Sequence, residues 1–446
     1  MTGIKQESKL KRNLKFSDLM AIAIGQIIGA GIMSTTGVAI GMTGTGVVLA
    51  FLLSPILTII SIFPTAILSS SLPTTGGPYK YTSRILGKVA GLIYLLLHIT
   101  AYGVAISQYS LSFGIYFESV FSKISAHTAA IIVLTLFFIL NLKGAKSAAI
   151  LNKIITIGLF GGLALFIVYG LPQVDFSYVF DKNNLFSNGM GPFIATLALL
   201  SSATAGAQFI AELGGEAIEP EKNIPKVMIL STLGVGVVYV LIAIVASGIL
   251  PIDQVANQPL TLVAKKTMPI LAFTLFVVGA ALGATSSTLN STLSWITKPL
   301  LVACDDKLLP NKFGKVGKSG SPYLLLTFFY IAGMIPLVLG HDISQITKFT
   351  TANSLLCKIF VCVDLFVLTL RHKHILTNSS MNISVKFAKV LSLVAIVVLV
   401  VLSYSLLATL PTYVMMFLLV LTLLVIIYSK TIAKSIEIDD DLIKEN

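Results

Sequence analysis

The stretch 25-GQIIGAGIMSTTG-37 places four glycines inside an apolar run that is otherwise a good transmembrane helix. Glycine in a helix interior costs roughly 0.5–1 kcal/mol relative to alanine, so the cluster weakens the helix at its middle. Gly25 and Gly29 at i,i+4 can serve close helix packing. Packing does not account for Gly29-Ala30-Gly31 followed directly by Ser34-Thr35-Thr36. The stretch lacks the G-x-G-x-x-G order of a dinucleotide loop, and a membrane-spanning segment has to be helical. The reading that remains is a helix interrupted at a binding site.

The surrounding chain sets the class. Its 446 residues are 55% hydrophobic and only 11% charged, with a mean hydropathy of +0.92. Soluble domains carry about 25% charged residues. Twelve spans fit the hydrophobicity, at 17–42, 46–71, 88–117, 127–142, 147–170, 191–215, 226–250, 268–303, 322–340, 344–370, 386–408 and 411–430. A span needs about 20 apolar residues. The first is too long for a signal-peptide core, lacks an A-x-A-like cleavage site and reads as a retained helix. The fold class is therefore an all-α membrane protein.

The net charge of +12 follows topology. Of the 31 Lys and Arg, 25 fall in segments on the side of the N-terminus and five in loops on the other. The positive-inside rule then puts both termini in the cytoplasm and makes nucleic-acid binding unnecessary as an explanation. The expected layout is a cytoplasmic segment 1–16, a transmembrane domain 17–430 and an acidic cytoplasmic tail 431–446. Cys304, Cys357 and Cys362 have no metal-ligand spacing and read as small residues within helices. No cofactor is expected. The five histidines are scattered, with no H-E-x-x-H, and no filter repeat or ring of like charge suggests a channel. An intramembrane enzyme and a pore are both set aside.

The sixth span, within 191-GPFIATLALLSSATAGAQFIAELGGEAIEP-220, centres on the small, hydroxyl-rich SSATAGA. Five spans make one unit (about 17–170) and five the next (about 191–370). An odd number per unit means that the second starts from the opposite side. Helices 1 and 6 then correspond in an inverted repeat, followed by two C-terminal helices over about 386–430. Paired interrupted helices of this kind point to a transporter's central site. A break at Gly29–Gly31 bares amides at the start of a half-helix, suited to a carboxylate. A break near Ala203–Ala207 bares carbonyls at the end of another, suited to an ammonium.

Four motifs make a resemblance specific: GQIIGAGI, 72-LPTTGGPYKYTSRILGKVAG-91, 215-GEAIEPEKNIPKVM-228 and 304-CDDKLLPNKFGKV-316. In this order they resemble the signatures of the amino acid–polyamine–organocation transporter superfamily, over nearly the whole chain. The resemblance implies a leucine-transporter-type fold with discontinuous helices 1 and 6. It implies a secondary transporter in the cell membrane, an amino acid as partner and the bilayer as surroundings, as a monomer or a homodimer. Carried over residue by residue, the amides of Ala30 and Gly31 would hold the substrate carboxylate. The carbonyls of Ile27, Ser202 and Ala205 would hold its ammonium, with Gly29, Ala203 and Gly206 at the breaks. Gln26 and Gln208 flank them, lining the pocket or bonding helix to helix.

Thr292 falls where family members that bind arginine and agmatine carry an aromatic side chain. With Ala205 and Ala207 it implies a small-walled pocket without a counter-charge, favouring neutral amino acids; cationic amino acids or polyamines are the runner-up. Leu159 stands where some relatives carry a coupling lysine, and Lys153 lies nearer the cytoplasm. Thr285, Ser286, Ser287 and Thr288 offer hydroxyls for a sodium site, while exchange needs no ion. Glu212, Lys358 and Asp364 are ionisable within spans and so are coupling candidates. Gly76 and Gly77 form a turn that borders the family's inner pathway, a candidate gate.

Overall fold

With no water inside a bilayer, backbone polar groups must pair within their own segment, and helices do that. The computed structural model describes residues 15–431 except 75, 143–144, 214–216, 318–320, 378–380, 382 and 409. Helix covers part of every one of the twelve predicted stretches. The first holds α1 (Phe16–Ile27) and α2 (Ala30–Thr43), and the second α3 (Val47–Ser71). A short helix α4 (Gly77–Ile85) precedes α5 (Lys88–His98), a π-helical turn Ile99–Gly103 and α6 (Val104–Glu118). Then come α7 (Ala126–Leu142), α8 (Ala145–Gly170), α9 (Met190–Ala203) and α10 (Pro220–Gly248). Pro220 opens α10 at its first turn, where the missing N–H costs nothing, so this helix starts earlier than the hydrophobicity suggests.

The eighth stretch is not one regular helix. Ile270–Leu275 passes through a π-helical turn, Phe276–Leu282, into α11 (Gly283–Trp295) and then α12 (Lys298–Asp305). The remainder is α13 (Tyr323–Val338), α14 (Ile343–Arg371), α15 (Val385–Leu407) and α16 (Thr412–Thr431). Among the described residues, eight helices are long and apolar enough to cross a membrane, and four shorter apolar helices accompany them.

Two interiors fix the centre. One core packs Ile28, Ile32, Leu200, Ile210, Tyr239 and Phe276, joining both interrupted helices to α10 and the π-helical turn. The other gathers Tyr102, Trp295, Phe329 and their neighbours around α5, α6, α11 and α13. α2 packs on α9, while α1 packs on the 3₁₀ turn Ala207–Leu213 that follows α9. The two interrupted helices thus lie antiparallel with their breaks side by side. Outward faces are apolar, with Leu52, Ile132 and Val397 each more than half exposed. An apolar exterior of this extent suits lipid rather than water.

Candidate functional site

The first interruption lies where the glycines predict it. α1 ends at Ile27; Ile28 (φ −78°, ψ 88°) and Gly29 (φ −147°, ψ −148°) leave helical geometry, and α2 restarts at Ala30. Ala30 and Gly31 are therefore the first residues of a half-helix, whose leading amides have no partner within it. Glycine is required at 29 by proximity, because a Cβ there would collide with the Thr288 hydroxyl on α11. The freed Ile27 carbonyl accepts a hydrogen bond from the Tyr239 hydroxyl at 2.7 Å. Tyr239, on α10, is buried and was not legible as a site residue in the sequence.

The second interruption follows α9. Thr204, Ala205 and Gly206 are non-helical before the 3₁₀ turn Ala207–Leu213. Gly206 has φ 144°, a conformation L side chains avoid, and a Cβ there would lie 2.9 Å from the Gln26 carbonyl oxygen. The two breaks therefore touch. Thr58 of α3 stabilises the end of α9, donating to the Ser201 carbonyl at 2.8 Å, with the Thr204 hydroxyl 2.7 Å away. The Gly206 amide donates to Gln208 Oε1 at 2.9 Å, so Gln208 caps its own break.

The end of α1 and the break after α9 border one cavity of about 70 Å³. One water needs roughly 10–15 Å³ of such space, so the cavity takes a small solute. Of the predicted residues it brings together Gln26, Ile27, Ser202, Ala203, Ala205 and Gly206, with Gln208, Thr288 and Lys358 beside them. Hydroxyl and amide groups that the sequence did not single out join them: Gln108 from α6, and Thr350, Thr351 and Ser354 from α14. Ser202 Oγ lies 3.1 Å from Thr351 Oγ1, tying α9 to α14.

Of the residues expected to wall the pocket, Ala205 lines the cavity and Thr292 needs correction. Thr292 is fully buried but does not border the cavity. It sits one turn, about 6 Å, beyond Thr288 along α11. Aromatic side chains join small residues such as Ala105, Ala203 and Ala205 in the wall. Tyr102 and Phe209 face the cavity, and Phe209 stacks on Trp295 at 4.0 Å between centroids. The π-helical turn at Ile99–Gly103 carries Ala101 and Tyr102 to the wall; such turns recur at functional sites. Lys358 adds a positive charge. It borders the cavity, and its buried Nζ has no hydrogen-bond partner among the described residues. A lysine at a helix centre costs about 3 kcal/mol to insert, so an unpartnered one requires a reason.

The remaining candidates lie elsewhere. Thr285 donates to the Ala281 carbonyl of its own helix at 2.9 Å, and Ser286 is buried. Ser287 Oγ lies 3.5 Å from the Gly25 carbonyl oxygen. The side chains of Glu212 and Lys153 lie outside the described residues. Leu159 is buried in α8.

Gly76 and Gly77 both have positive φ and start α4, at the end of the molecule where α1 begins. Arg84 of α4 grips Asp306, just past α12, through two bonds of 2.6 Å, and Tyr79 donates to the same carboxylate at 2.8 Å. Burial and the neighbouring carboxylate push the Tyr79 hydroxyl well above its ordinary range, so it stays protonated as a donor. Asp364 of α14 accepts from Thr82 of α4 at 2.6 Å. This cross-linked end faces away from the one where the Asn257 amide donates to the Gly37 carbonyl at 2.8 Å.

A family model described as amino acid permease matches residues 14–428. The chain is 28% identical over 395 residues to branched-chain amino acid permease BcaP of Bacillus subtilis (strain 168), covering 82% of each protein. It is 26% identical over 405 residues to the methylthioribose transporter of the same organism, covering 84% of each. Histidine permease HisP of Lactococcus lactis subsp. cremoris (strain MG1363) is 26% identical over 370 residues, 78% of this chain and 76% of that one.

Proposed function

The chain belongs to the amino acid permease family, and from that premise we propose that it is a secondary transporter carrying amino acids across the cell membrane by alternating access. The reading includes twelve spans, a five-plus-five inverted repeat with two further helices, and both termini in the cytoplasm. The substrate's α-carboxylate sits at the amides that begin α2, and its α-ammonium at the carbonyls that end α9. One observation carries this: two helix interruptions lie side by side, and the end of α1 and the break after α9 border a single small cavity. Backbone left bare at that depth is tolerated where it lines a cavity. Half-helix ends of opposite polarity complement a zwitterion without charged side chains.

Alternating access needs a seal on each side in turn. The Arg84–Asp306–Tyr79 cross-link supplies one at the cytoplasmic end, and the Asn257–Gly37 contact another at the outer end. The Lys358 ammonium repels a second positive charge in the cavity, which counts against the cationic amino acid and polyamine alternative. The substrate is then a neutral or acidic amino acid, moved by exchange with another. Purified protein in liposomes should take up labelled amino acid several-fold faster when unlabelled amino acid is loaded inside. Equal uptake into empty, gradient-free vesicles removes exchange; no uptake of any amino acid removes the transport reading.

A further inference from the structure

Lys358 has a face of α14 in common with Thr351 and Ser354, since positions 351, 354 and 358 follow the i, i+3, i+7 spacing of one helix side, and all three border the cavity. Its Nζ is shut off from solvent and has no hydrogen-bond partner among the described residues. The ion pairs described are Arg84–Asp306 and Lys222–Glu219, neither of which involves it. Asp364 lies six residues on, about 240° around the helix, and its described partner is Thr82. No aspartate or glutamate is among the described residues that line the cavity.

A buried ammonium carries three donors and a full charge, and both demand an acceptor of opposite sign. The occupant of the cavity can supply it. The α-carboxylate and α-ammonium of an amino acid are already complemented by the two half-helix ends, so the remaining group is the side chain. We propose that Lys358 is a specificity-determining residue that receives a side-chain carboxylate, making acidic amino acids the preferred substrate class. This rests on the transporter reading above. Tyr102 and Phe209 supply an apolar wall for the intervening methylenes, while the Ser354 hydroxyl donates to the Thr351 carbonyl and leaves Lys358 as the donor on this side. Uncharged isosteres leave Lys358 unpaired, and a site with an unpaired buried charge discriminates strongly.

The decisive comparison is glutamate against glutamine, which share a shape and differ in charge. Initial uptake of labelled L-glutamate, L-aspartate, L-glutamine and L-leucine into liposomes is measured for the wild type, Lys358→Met and Lys358→Arg. The wild type should take glutamate at least about tenfold faster than glutamine. Lys358→Met should lower that ratio at least about tenfold, and Lys358→Arg should keep it within about threefold. A wild type that prefers glutamine or leucine overturns the inference alone, as does an unchanged ratio in Lys358→Met. Uptake of no amino acid overturns it together with the transport reading. Should Lys358→Met fail to fold, the wild-type ratio and Lys358→Arg still decide.

Discussion

Tyr239 donates its hydroxyl to the Ile27 carbonyl at 2.7 Å, across 212 residues of sequence. The bond falls at the last residue of α1, where the helix stops and its carbonyls lose their usual partners. A buried tyrosine on a neighbouring helix thus sets the orientation of the first break.

Tyr239→Phe keeps the ring and removes this donor. An orphaned buried polar group costs about 1–3 kcal/mol, so substrate affinity should fall roughly tenfold or more. Isothermal binding to detergent-purified protein checks it. Unchanged affinity with a lower melting temperature would mean that Tyr239 only braces the fold.

Gly206→Ala puts a side chain on a residue at φ 144° and presses it against the Gln26 carbonyl. Strain of this kind costs about 1–3 kcal/mol, concentrated where the two breaks meet. The variant should insert and purify, yet lose most substrate binding. Gly31→Val should behave likewise by disturbing the amides that begin α2. Wild-type affinity in either variant sinks the assignment of that break to substrate binding.

Arg84 and Asp306 form a buried two-point pair, with side chains 4% and 9% exposed. Removing one partner of such a pair costs about 3–5 kcal/mol. Arg84→Ala should lower the melting temperature by several degrees and raise thiol labelling of the buried Cys304, two residues from Asp306. Arg84→Asp combined with Asp306→Arg should recover part of the loss. Double-mutant additivity, with no recovery, would show that the pair is not an energetic link.

Asp364 is fully buried, with one carboxyl oxygen on Thr82 and the other without a hydrogen-bond partner among the described residues. Asp364→Asn keeps an acceptor for Thr82 and removes a charge that burial disfavours. Thermal stability should hold or rise. A marked fall in stability or transport would show that the charge itself is used.

Much of the centre was legible in local sequence. Glycines at 29 and 31, and the small residues from Ser202 to Gly206, change backbone preference where they stand, so the interruptions could be read without knowing their neighbours. Apolar run lengths placed the helices for the same reason. Pro220 shifted one start, because its ring fits the first helical turn.

What only the tertiary structure decided is who faces whom. Thr292 stands one turn from Thr288 yet outside the cavity, because the rise of that turn carries it about 6 Å along α11. Phe209, Tyr102 and Trp295 come from three separate segments and meet only once those pack. Lys358 reads in sequence as one ionisable residue within a span. Its place on the cavity follows from how α14 packs against α3, α6 and α9. Backbone breaks are local and are written in residue type; the cavity wall is built from long-range contacts, whose geometry no single stretch contains.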